Sequence, residues 1–118
     1  MKRLFTILPF FLLFFSAYTQ LSHKPSHLSV VAEPNAGDQL LEIFFTNNQS
    51  NQIPVYWKII KDNNFKTNWE TYICDLEFCY GVNVDQSNPS LPNNLKTGTH
   101  KFEFHFNPKN TAGNTYVT

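Results

Sequence analysis

Residues 100–106 read H-K-F-E-F-H-F. Taken at a period of two, they set Phe102, Phe104 and Phe106 on one face and Lys101, Glu103 and His105 on the other. That is the alternation of a strand with one face against a core and the other toward water. The same period recurs upstream. In 39–46 it places Leu41, Ile43 and Phe45 opposite Leu40, Glu42 and Phe44, with β-branched and aromatic residues favouring strand over helix. In 55–61, V-Y-W-K-I-I-K sets Val55, Trp57 and Ile59 against Tyr56, Lys58 and Ile60. The polar run 47–54 separates these two segments, which predicts that they form a hairpin.

Leu28, Ser29, Val30 and Val31 begin an earlier extended run, closed by turn chemistry at Pro34, Asn35, Ala36 and Gly37. Residues 85–99 are crowded with Asn, Ser, Pro, Thr and Gly, 108–114 make another turn, and T-Y-V-T at 115–118 starts a last strand. No apolar stripe persists at helical spacing over three turns, and turn signals recur every ten or so residues. The chain therefore predicts an all-β sandwich of six or seven short antiparallel strands.

The first nineteen residues are of another kind. Lys2 and Arg3 precede an apolar block, Leu4 to Phe15, that is broken only by Thr6 and Pro9, and small residues at Ala17 and Thr19 suit a signal peptidase site. The block is shorter than the roughly 20 residues a spanning helix needs. A signal peptide at 1–19 is expected, then a flexible lead-in at 20–27, with secretion or placement in the periplasm or at the cell surface. About 99 residues remain, enough for one domain. Of nine basic and nine acidic side chains the signal takes Lys2 and Arg3, leaving seven against nine, a net of −2. Without a basic cluster there is no electrostatic footprint for nucleic acid.

The run 69–80, W-E-T-Y-I-C-D-L-E-F-C-Y, holds both cysteines of the chain. An exported chain with two cysteines pairs them in the one intrachain bond available, Cys74 to Cys79. A redox role would want C-x-x-C spacing at a helix start; here four residues intervene, and Asp75 and Glu77 would raise a thiol pKa. A staple across so short a loop contributes on the order of 2 kcal/mol. Tetrahedral zinc would need two further donors, and the nearest histidine in sequence is His100. Blue copper would need an axial ligand, usually Met, and the one methionine is the initiator. His105 reads as a solvated residue of the polar strand face. Asn83, Asp85 and Ser87 alternate as calcium ligands can, but the glycine and closing glutamate of an EF-hand loop are missing, so these side chains are expected to bond nearby backbone. Neither a G-x-S-x-G motif nor partnered histidines point to nucleophilic catalysis.

In this order of features the chain resembles an Ig-like domain common in secreted proteins of Bacteroidetes, many of which carry a C-terminal sorting domain for type IX secretion. The resemblance runs through I-F-F-T-N-N-Q-S-N (43–51), V-Y-W-K (55–58), N-W-E-T-Y-I-C-D-L-E-F-C-Y (68–80), K-T-G-T-H-K-F-E-F-H-F-N-P (96–108) and T-A-G-N-T-Y-V (111–117), and so covers 28–118. Trp69, Cys74, Asp75, Cys79 and Tyr80 carry its most specific element. It implies a sandwich fold and extracellular or surface placement, and it brings no catalytic residues. In such proteins the strand starting at Tyr116 continues. Ending at Thr118, the last strand is expected to be incomplete, as in a chain truncated at its C-terminus, and to leave a free edge open to self-association.

The reading as a whole is a signal peptide followed by an Ig-like antiparallel β-sandwich at 28–118. Its expected role is that of a non-catalytic binding or spacer module for a protein or glycan partner. No cofactor and no nucleic acid enter this reading, and the membrane is met only transiently, through the signal peptide. The alternative is a small periplasmic thiol-redox or metal-handling protein of cupredoxin-like shape, using Cys74 and Cys79 with His100 or His105.

Overall fold

The computed structural model describes residues 21–24 and 28–118; the expected signal peptide lies outside them. The described residues form eight strands, in order β1 (Leu21–Lys24), β2 (Leu28–Ala32), β3 (Gln39–Asn47), β4 (Ile53–Val55), β5 (Glu70–Cys74), β6 (Asn93–Leu95), β7 (Gly98–Asn107) and β8 (Gly113–Val117). All strand pairs are antiparallel, and the described residues contain no helix. One layer is a four-stranded sheet in the order β1-β3-β7-β5.

The second layer is built from β2 paired with β8, β4 paired with β6, and the segment 56–61 between them. Ile60 exchanges two backbone hydrogen bonds with Thr118, at 2.7 and 3.1 Å, while Ile59 N donates to Asp85 O and Ser87 N donates to Trp57 O on the opposite side. Strand β7 shows why the two layers close on each other. Phe102, Phe104 and Phe106 are at most 1% exposed, and Leu41, Ile43 and Phe45 of β3 lie half-buried beside them. Leu28, Val30, Ala32, Ile59 and Val117 fill the core from the other layer. Burying alternate apolar residues from both sheets is what makes the sandwich stable.

Three expectations change. Residues 39–47 and 53–61 do not form a hairpin: β3 pairs along its whole length with β7, Gln39 opposite Phe106 through Asn47 opposite Gly98, and β4 pairs with β6. The alternation in 55–61 survives in burial, with Val55 and Ile59 inside and Tyr56, Lys58 and Ile60 outside, but the ladder is broken because this segment changes partners from β6 to 85–87 to β8. In the expected flexible lead-in, Leu21–Lys24 form an edge strand on β3. The free edge expected beside Thr118 is taken up: β8 pairs with β2 over all five residues on one side and meets Ile60 and Lys61 on the other.

Candidate functional site: the disulfide-closed loop cluster

Strand β5 ends at Cys74, and the chain reverses at once. Asp75 makes the reversal: its Oδ1 accepts the amides of Glu77 (2.9 Å) and Phe78 (3.0 Å), and its own N–H donates to Phe78 O at 2.8 Å. An aspartate bonding amides two and three residues ahead is the Asx-type device that closes turns. Cys79 then lies directly opposite Cys74, with Cα atoms 3.9 Å apart, and the two are joined by the expected disulfide. The returning chain stays on the outer edge of β5. Tyr80 N donates to Ile73 O and Asn83 N to Thr71 O, so that edge is covered.

The second oxygen of Asp75 ties the turn to the body of the molecule. Oδ2 accepts Trp57 Nε1 at 2.9 Å and Asn93 Nδ2 at 2.8 Å, and Asn93 Oδ1 in turn accepts Leu76 N. Asn93 is fully buried. Burial by itself would raise the Asp75 carboxyl, but hydrogen bonds from Asn93, Trp57 and the amides of Phe78 and Glu77 outweigh it and hold the group below the ordinary carboxylate range. The Trp57 ring also meets Tyr80 edge to face at 4.9 Å, and Tyr80 OH accepts the amide of Asn88.

These contacts hold a shallow cleft of about 310 Å³ open to solvent, lined by Phe78, Cys79, Tyr80, Asn88 and Leu91. Phe78 is 49% and Leu91 46% exposed, and Leu76, Val82 and Val84 are exposed around them. A second cavity, of about 250 Å³, lies between the layers against Ile43, Ile73, Phe102 and Phe104. Its floor is core, and it opens to solvent past His23, Tyr56, Lys58 and Thr118.

The marker residues thus separate. Cys74, Asp75, Cys79 and Tyr80 come together in the loop cluster. Trp69, the remaining residue of that element, does not join them. It is 1% exposed, packs edge to face on Phe65 and Phe106, and donates Nε1 to Thr111 O. Five residue steps along the strand, about 16 Å, separate it from Cys74. The tryptophan that serves the loop is Trp57. Asn83, Asp85 and Ser87 diverge, and they do not bond nearby backbone as expected: Asn83 and Ser87 accept the amides of Thr71 and Trp57, 12 and 30 residues away, and Asp85 pairs with Lys61 Nζ. His100 lies on the inner-face register of β7 with Nε2 2.8 Å from Lys96 O, away from the cysteines.

His105 is on the outward face as expected, but it is not freely solvated. Its side chain is 15% exposed, it stacks on Tyr72 with centroids 4.1 Å apart and planes 9° from parallel, and Nδ1 lies 2.9 Å from Asp38 Oδ2. Trp57 and Tyr72 lie in segments quoted above without a role of their own, and Asn93 lies in the polar stretch 85–99; the one hint was the inward register of Trp57. No protein-family model, no curated protein and no solved structure matches the chain.

Proposed function

We propose that this chain is an exported, Ig-like module of the secreted or cell-envelope kind, that it has no catalytic activity, and that it works by contact, binding a protein or glycan through the loop cluster at 75–91. One observation carries this reading: Phe78 and Leu91 are held about half exposed around a cleft whose backbone is fixed by the disulfide and by five hydrogen bonds at Asp75. Large apolar side chains shown to water on a restrained loop are typical of contact surfaces, because the ordering cost of binding is reduced in advance. Tyr80 and Asn88 add a ring edge and amide groups of the sort that recognise polar, ring-shaped or backbone ligands.

The test is a paired binding screen, with immobilised glycans on one side and extracellular proteins on the other, probed with wild type and Phe78→Ala. A ligand held by the wild type and weakened at least tenfold by Phe78→Ala supports the reading. Ligands that bind both forms equally would place the contact surface elsewhere.

A further inference from the structure

On the outward face of the four-stranded sheet, the β5–β7 register sets Cys74 opposite Glu103 and Tyr72 opposite His105. One donor atom from each of Cys74, Glu103 and His105 then lies within 4.8 Å of the other two. Two of the three are already oriented by neighbours. The carboxylate of Asp38 can only accept, so His105 Nδ1 carries the proton it shares with Oδ2 at 2.9 Å, and in the neutral imidazole that binds a metal the lone pair is then on Nε2. That nitrogen faces Glu103 Oε2 at 3.9 Å, and the stacked Tyr72 ring, whose OH also bonds Asp38, fixes the imidazole plane. Glu103 Oε1 is engaged by Lys101 Nζ at 2.7 Å, so Oε2 is the free oxygen. A carboxylate behind a histidine, and a cation behind a carboxylate, are the outer partners that orient metal ligands. Only the sulfur is unsuited, because it is tied up in the bond to Cys79.

We propose that opening the Cys74–Cys79 disulfide converts this face into a zinc-type metal site with Cys74 Sγ, His105 Nε2 and Glu103 Oε2 as ligands and a fourth position open to water. A dithiol reductant breaks the S–S bond, delivering two electrons and two protons; Cys74 and Cys79 become thiols as the reductant closes its own disulfide. The Cys74 thiol gives up its proton to solvent when the metal binds. A sulfur, nitrogen and carboxylate set suits Zn²⁺ or Co²⁺ better than Mg²⁺ or Ca²⁺. Bond lengths of about 2.0–2.3 Å require the donors to close in by roughly 1 Å, which side-chain rotation on the sheet surface can supply. The site goes beyond the contact role of the loop and links to it, because releasing Cys79 also releases the turn that holds Phe78.

Anaerobic Co²⁺ titration followed by absorption tests this. Cys79→Ser, which leaves Cys74 free, should take one equivalent without reductant and show thiolate-to-cobalt charge-transfer absorption that Zn²⁺ abolishes. Cys74→Ser loses the same staple and should bind at least tenfold more weakly, without that band, as should the oxidised wild type. Equal binding by both variants, or no band with Cys79→Ser, overturns the proposal. A second measurement avoids the staple variants. In a glutathione redox buffer, Zn²⁺ should raise the dithiol-to-disulfide ratio of the wild type at least tenfold and leave that of His105→Ala unchanged. No shift, or the same shift in both proteins, refutes the site.

Discussion

Trp69 and Trp57 are both held by aromatic neighbours and by an indole hydrogen bond, yet their environments differ in kind. Trp69 is almost wholly buried among Phe65, Phe106 and the backbone of Gly113, and its Nε1 is satisfied by one carbonyl, Thr111 O. Trp57 is half-buried, with its Nε1 on the Asp75 carboxylate and its ring against Tyr80. At one end of β5, then, a tryptophan closes the core by area and shape; at the other, a tryptophan positions a charged turn. Core packing spreads its energy over many weak contacts, whereas the turn depends on a few directional ones.

The largest expected effect lies at the first tryptophan. Trp69→Ala empties the space between Phe65, Phe106 and β8 and should cost about 3–5 kcal/mol, the usual range for a fully buried aromatic. In a denaturant titration the midpoint should fall with the slope unchanged. A loss below about 1 kcal/mol would mean that the two ends of β5 are not so different. The same contact can be tested from its far side. A Cβ on Gly113 would stand 2.8 Å from Trp69 Cζ2, so Gly113→Ala must displace the ring and should cost about 1–3 kcal/mol by overpacking.

At the second tryptophan the effect is smaller and depends on pH. Asp75→Ala removes the acceptor of Trp57 Nε1, Asn93 Nδ2 and two amides, and should cost about 1–3 kcal/mol because buried Asn93 is left with an unpaired donor. Since the folded-state pKa of Asp75 is depressed, the stability it contributes is complete above the ordinary carboxylate pKa and is lost as pH falls through the folded value. Wild type should therefore lose stability relative to Asp75→Ala below about pH 4. Parallel stability–pH curves for the two proteins would remove the contrast between the tryptophans. Trp69, whose indole faces a neutral carbonyl, should give a variant with no such pH dependence of its difference from wild type.

Much of the fold was legible because β structure writes its faces into a local period. The three phenylalanines of β7 can be assigned to the core from sequence alone and are buried, and the inner residues of β3 follow the same period half-buried. Pairing is another matter. Strand β3 finds β7 some fifty residues on, and Val55 finds Asn93, because inner faces have to match across the sandwich; the polar stretch 47–54 looks like a hairpin turn but joins strands in different layers. The candidate site divides in the same way. Cys74, Asp75 and Cys79 are adjacent in sequence and could be read together, whereas Trp57 and Asn93 lie eighteen residues to either side of Asp75 and meet it only through the fold. His105 looked solvated because Asp38 and Tyr72 approach it from distant parts of the chain.

The smallest stability effect belongs to the residue on which the proposed function most depends. Phe78 is half exposed and touches Tyr80 at a centroid distance of 6.2 Å, so Phe78→Ala removes little buried area and should change stability by no more than about 0.5 kcal/mol. Asp75 and the disulfide hold the turn backbone independently of that ring, so shift changes should stay within the cleft and leave Trp57 and Asn93 as in wild type. A two-dimensional amide spectrum and a thermal melt on the same sample check both points. A loss above about 1 kcal/mol, or shifts spreading to Trp57, would show that Phe78 is part of the packing rather than a side chain held out for a partner, and the two ends of β5 would then be built on the same principle.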